Sequence, residues 1–142
     1  MRSLVVASLI APPALAIAPA FAETTHYKAR LGTADETPPS DSKGTGTVDA
    51  TYDAATKKLE WTIEYSGLTG PAIAAHFHGP APAGKAAPIE VPITGPLASP
   101  IKGSAMLTDA QAKDLTDGMM YFNIHTEAHK PGEIRGQMEK AM

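Results

Sequence analysis

The stretch Leu59-Glu60-Trp61-Thr62-Ile63-Glu64-Tyr65, LEWTIEY, alternates apolar and polar residues without interruption. Successive side chains of a β-strand point to opposite faces. Leu59, Trp61, Ile63 and Tyr65 therefore share one face and Glu60, Thr62 and Glu64 the other, as in a half-buried antiparallel strand. Upstream, Thr47–Tyr52 has strand character, and Asp53-Ala54-Ala55-Thr56-Lys57-Lys58 supplies the turn between the two. A hairpin is the first element expected.

Working outward, Tyr27–Leu31, Ile73–His78, Ile89–Ile93, Ile101–Met106, Met120–His125 and Glu133–Glu139 also have strand character. They are separated by segments rich in glycine, proline, serine and aspartate, which are turn and loop residues. Gly32–Gly46 and Gly79–Pro88 are the longest of these, and Ile101–Met106 suits an edge strand. One segment departs from the pattern. LTDAQAKDLTDG, residues 107–118, offers Thr108 as a helix cap, Gln111 three residues on to complete a capping box, and Gly118 for a left-handed end. Many short strands with one short helix at about 107–118 predict an all-β fold, an antiparallel, Greek-key-like β-sandwich in a single domain over 23–142.

The chain has 142 residues and no cysteine, so disulfides, thiolate metal sites and cysteine nucleophiles are all excluded. Its first 22 residues differ from the rest. Arg2 precedes an uncharged apolar run, Pro12, Pro13 and Pro19 disfavour a spanning helix, and Ala20-Phe21-Ala22 presents small residues where a signal peptidase reads. A signal peptide over 1–22, export to the periplasm or medium, and no membrane span after cleavage are expected. No cysteine follows the apolar run, so no lipid anchor is expected either. Without Arg2, 11 basic side chains stand against 15 acidic, a formal charge of −4 that gives no electrostatic footprint for nucleic acid or an anionic membrane.

Two of the chain's 5 histidines sit one residue apart in Ala75-His76-Phe77-His78-Gly79-Pro80. Strand phase puts His76 and His78 on the face opposite Phe77. In Met120-Tyr121-Phe122-Asn123-Ile124-His125 the same phase separates Met120, Phe122 and Ile124 from Tyr121, Asn123 and His125. If the two strands are neighbours, three imidazoles converge outside the core. Neutral imidazoles are a sufficient set for zinc or copper, at about 2.0–2.1 Å per bond for zinc. Water, His129 or Glu127 would take a fourth position. The same spacing is met by solvated histidines with no ligand. Ring nitrogens within about 3–4 Å of one another would fit a common ion, and rings more than about 8 Å apart would not. Tyr121, Glu133 and Arg135 are candidates to support the histidines by hydrogen bonds, as outer groups do around metals; a surface Glu133–Arg135 ion pair is the plainer reading. Gly79–Lys85 has the spacing of a phosphate-binding loop, but Ala86 stands where a Ser or Thr is required, and Pro80 and Pro82 lack the amide hydrogens such a loop uses.

The segments Glu36-Thr37-Pro38-Pro39, Gly44-Thr45-Gly46, Ser66-Gly67-Leu68, Ala75–Ala81 (AHFHGPA), Tyr121–Thr126 (YFNIHT) and Gly132–Gln137 (GEIRGQ) together resemble the CHRD domain, named for its occurrence in chordin, from about Tyr27 to Met138. The resemblance implies a β-sandwich outside the cytoplasm with histidine at the positions of His76, His78 and His125. The His-x-His also resembles the copper ligands of copper–zinc superoxide dismutases, although no cysteines and no histidine-rich zinc loop accompany it here. Three functions are therefore expected in turn. The first is an exported domain holding copper or zinc on His76, His78 and His125. The second is an interaction module for an envelope or extracellular protein, without metal. The third is a copper-dependent redox enzyme.

Overall fold

A computed structural model describes residues 6–16 and 23–142. The cleavage point expected after Ala22 and half of the signal segment, residues 1–5 and 17–22, lie outside the described residues. Residues 6–16 are exposed and without regular structure. Among the described residues no helix is long and apolar enough to cross a membrane.

Among the described residues, nine strands form two antiparallel sheets. They are β1 (Thr24–Leu31), β2 (Thr45–Asp53), β3 (Lys58–Ser66), β4 (Ala72–His78), β5 (Ile89–Pro92), β6 (Ile101–Met106), β7 (Tyr121–Thr126), β8 (Ile134–Gln137) and β9 (Glu139–Lys140). One sheet runs β6-β3-β2-β1-β9 and the other β5-β4-β7-β8, so the chain changes sheet after β3, β5, β6 and β8. The expected antiparallel sandwich with one helix is present.

Alternation in LEWTIEY works as its phase requires. Leu59, Trp61 and Ile63 are buried against the second sheet, while Glu60 and Glu64 face solvent. Tyr65 is half-buried at the strand's end, its hydroxyl donating to the Leu97 carbonyl. Tyr27, Ala29 and Leu31 of β1 and Val48, Ala50 and Tyr52 of β2 continue the same layer. Phe77 links the layers: its ring centroid lies 5.2 Å from that of Trp61 in the facing sheet and 4.8 Å from that of Phe122 on the adjacent strand. Both pairs are tilted, at 55° and 57°, which suits the quadrupoles of aromatic rings.

The helix α1 spans Asp109–Thr116, inside the predicted 107–118. Thr108 accepts from the Gln111 amide while the Gln111 side chain accepts from the Thr108 amide, completing the capping box. Gly118, at φ 72°, turns the chain out of the helix.

One strand differs from expectation. Glu133–Glu139 is not continuous, because the chain leaves one sheet for the other at buried Met138. Ile134–Gln137 pairs with β7, whereas Glu139 and Lys140 pair with Lys28 and Tyr27 of β1. Gly32 and Arg135 exchange backbone hydrogen bonds of 3.0 and 2.8 Å, tying β8 to the end of β1 and closing this side of the sandwich.

The long Gly32–Gly46 loop is held by its polar side chains. Glu36 is buried against Gly132, beside Arg135, with one carboxyl oxygen lacking a partner. Desolvation pushes its pKa up from 4.5 to about 7, against the opposing pull of Arg135 and the Thr37 amide. A carboxyl raised in the folded state stabilises the fold below its unfolded value and loses that contribution as pH rises through the folded one. At about 1.4 kcal/mol per pH unit, the interval from 4.5 to 7 is worth roughly 3 kcal/mol. Histidine titration over the same range has the opposite sign, so the difference between two proteins isolates the glutamate. Glu36→Gln is expected to match the wild type near pH 4.5 and to exceed it by roughly 3 kcal/mol at pH 8 in urea unfolding. A gap that does not change with pH would refute this account of Glu36.

Candidate metal centre

Strands β4 and β7 are neighbours, with Phe77 opposite Phe122, His76 opposite Asn123 and His78 opposite Tyr121. That register sends Phe77, Phe122 and Ile124 into the core and brings His76, His78 and His125 together on the other face. One ring nitrogen from each of the three lies within 4.8 Å of the others. The closest contact is His76 Nδ1 to His125 Nε2 at 3.2 Å. The group therefore falls between the common-ion limit of about 3–4 Å and the splayed arrangement, with its tightest edge already inside that limit.

Backbone carbonyls from two loops orient two of the rings. His78 Nδ1 lies 2.9 Å from the Ala87 carbonyl and His125 Nδ1 lies 2.7 Å from the Lys130 carbonyl. A carbonyl only accepts, so each Nδ1 carries the proton and each Nε2 presents a lone pair. Both Nε2 atoms face Asn123 Oδ1, at 3.0 and 3.1 Å. Burial lowers the pKa of His76 to about 4, with His125 and His78 adding to the effect. Burial lowers that of His78 too, against the raising effect of the hydrogen bond its Nδ1 donates to the Ala87 carbonyl. His76 and His78 are thus biased toward the neutral form, which is the one that binds metal.

The proline-rich loop Gly79–Pro88 folds over the His78 end of this face, so that His78 is buried while His76 and His125 remain partly exposed. The Ala87 amide donates to the Tyr121 hydroxyl at 3.1 Å, Arg135 donates to the Pro82 carbonyl at 3.2 Å, and Gln137 to the Ala81 carbonyl at 2.8 Å. Tyr121 stands between β4 and β8. It stacks on His78 with centroids 4.8 Å apart and planes 2° from parallel, and it carries the Arg135 guanidinium 3.4 Å from its own centroid. Arg135, Tyr121 and His78 form one layered stack beneath the loop.

Glu133 is fully buried and makes no contact with an imidazole or with Arg135 in a surface pair. Its carboxylate accepts from Ser42 Oγ at 2.7 Å, Thr126 Oγ1 at 2.7 Å, the Thr69 amide at 3.0 Å and the Thr69 hydroxyl. Burial raises its pKa, but these hydrogen bonds outweigh it and hold the carboxyl below its ordinary value. Its link to the histidines is indirect: Thr126 starts the turn whose Lys130 carbonyl orients His125. The two further ligand candidates are directed elsewhere. Glu127 is exposed and lies 3.6 Å from Lys130, and His129 lies 3.5 Å from Asp41. Asn123, the central side chain of the site, carries no motif of its own. Only its phase beside Tyr121 and His125 marks it.

Surface grooves of about 400–630 Å³ lie along β1, β2, β3 and β6, and none of those is lined by the three histidines. The three ligand atoms lie close enough together to surround a single ion. No curated protein and no solved structure matches the chain. A family model for the CHRD domain does, over residues 27–138, which is most of the sequence, and the chain belongs to the CHRD-domain family.

Proposed function

We propose that this CHRD domain binds a copper or zinc ion through His76, His78 and His125, outside the cytoplasm after removal of residues 1–22. The observation that carries the reading is the fixed tautomer of two rings. Ala87 and Lys130 each hold an Nδ1 proton, which leaves Nε2 of His78 and Nε2 of His125 as ready ligand atoms beside His76. A tetrahedral ion with bonds of about 2.0–2.1 Å has edges of about 3.3–3.4 Å. The widest separation, 4.8 Å, closes to that length with a small rotation of one ring. Imidazole nitrogen suits both ions, with copper(II) bound more tightly than zinc.

The test is metal content of untagged protein purified from the periplasm, beside a variant with His76, His78 and His125 all changed to alanine. About one equivalent of copper or zinc is expected in the wild type and none in the variant. Equal content in the two would sink the site. Free imidazole exchanges its proton near 6.5. With His76 lowered to about 4, protons compete with the ion only at lower pH, so release is expected on acidification below the range of a free histidine.

A further inference from the structure

The two ring nitrogens freed by the loop carbonyls share one oxygen, and His125 Nε2 also lies 3.2 Å from His76 Nδ1. His78 Nε2 and His125 Nε2 both point at Asn123 Oδ1, at 3.0 and 3.1 Å, and Asn123 is buried. Three lone-pair atoms meet there. With both Nδ1 protons committed to Ala87 and Lys130, no hydrogen is left to lie between either Nε2 and the amide oxygen. Such a convergence of acceptors is repulsive by itself. Two arrangements relieve it while both imidazoles stay neutral. A cation among the atoms turns the repulsion into coordination; alternatively, the amide turns over and its NH2 donates one hydrogen to each Nε2.

The distances separate these roles. The edges Asn123 Oδ1–His78 Nε2, Asn123 Oδ1–His125 Nε2 and His76 Nδ1–His125 Nε2 are 3.0, 3.1 and 3.2 Å. Three of the six edges of a coordination tetrahedron, each about 3.3–3.4 Å, are therefore nearly formed, and two of them run through the amide oxygen. Glu127 and His129, the side chains whose chemistry first suggested a fourth ligand, pair with Lys130 and Asp41 instead.

We propose that Asn123 supplies the fourth ligand atom, its amide oxygen, and that the same amide turns over to donate to both Nε2 atoms when no ion is bound. This rests on the metal reading above and extends it. The site becomes a three-imidazole, one-amide set for a divalent cation. Because the amide adds no charge, the ion keeps its full double charge in the bound state. The turn-over gives the ion-free site a satisfied hydrogen-bond network, so the polar face does not depend on metal for its integrity.

The test is calorimetric titration of chelator-treated full-length chain with zinc(II) alone. One equivalent is expected to bind the wild type. Asn123→Leu is expected to bind about 10- to 100-fold more weakly, a loss of the size seen when groups around a metal are removed. Asn123→Asp, which keeps an oxygen at the position, is expected to bind at least as tightly as the wild type. Wild-type affinity in Asn123→Leu would overturn the assignment while leaving the three-histidine site standing. A wild type that takes up no zinc would overturn the metal reading itself. Should Asn123→Leu fail to fold, side-chain NMR of the wild type decides. The Asn123 NH2 protons are expected to be shielded from exchange without zinc and to lose that protection with it. Unchanged protection in the zinc-bound protein would overturn the proposal.

Discussion

Gly136→Ala is expected to cost about 3 kcal/mol or more, enough to unfold much of the population of a marginally stable domain. A Cβ at this position would lie 2.0 Å from the Arg30 carbonyl oxygen and 2.7 Å from its carbon. The obstacle is backbone, so no rotamer change relieves it. Relief requires β8 to move away from β1, which breaks the paired hydrogen bonds between Gly32 and Arg135 that close this side of the sandwich. Arg135 would move with the strand, and with it the stack on Tyr121 and His78. Urea unfolding followed by tryptophan fluorescence reads the effect, since Trp61 is the only tryptophan and sits in the core. A variant within about 1 kcal/mol of the wild type would show that the two strands separate freely.

Glu133→Ala is expected to lose about 3–5 kcal/mol. The carboxylate collects hydrogen bonds from three segments distant in sequence: Ser42 in the first long loop, Thr69 before β4, and Thr126 at the end of β7. Deleting it leaves the buried Thr126 hydroxyl and the more exposed Ser42 and Thr69 donors without their acceptor. Glu133→Gln keeps the shape but turns an NH2 toward hydroxyls that had been donating, so an intermediate loss is expected. The acid response follows from the depressed pKa. A carboxyl held below its unfolded value contributes stability above that value and loses it as pH falls through the folded one. The wild type should therefore lose stability in acid below 4.5 in a way that Glu133→Ala does not. Identical acid profiles would contradict the role given to this carboxylate.

The pair Glu133 and Arg135 illustrates how far local pattern reaches. Two residues apart and opposite in charge, they suggest a surface ion pair. Both are buried instead, and each has a different partner. The reason is that their face of the sheet is covered by loops, which no periodicity announces. His129 and Glu127 are paired elsewhere for a related reason. They follow His125 closely, but the Thr126–Gly132 turn directs them toward Asp41 and Lys130. The break at Met138 is similar, because GEIRGQMEK has no residue that signals a change of sheet.

The sequence by itself determined the sandwich, the capped helix and the phase that gathers His76, His78 and His125. Each follows from a local rule: alternation along a strand, the geometry of a helix start, or the opposition of successive side chains. Those rules act within a few residues and need no knowledge of neighbours. Only the tertiary structure decided which nitrogens of His78 and His125 are free, that Asn123 stands between them, and that a loop covers His78. These depend on where the Ala87 and Lys130 carbonyls come to rest. A backbone carbonyl is the same in every residue, so its position is set by the path of the loops and leaves no mark in the sequence.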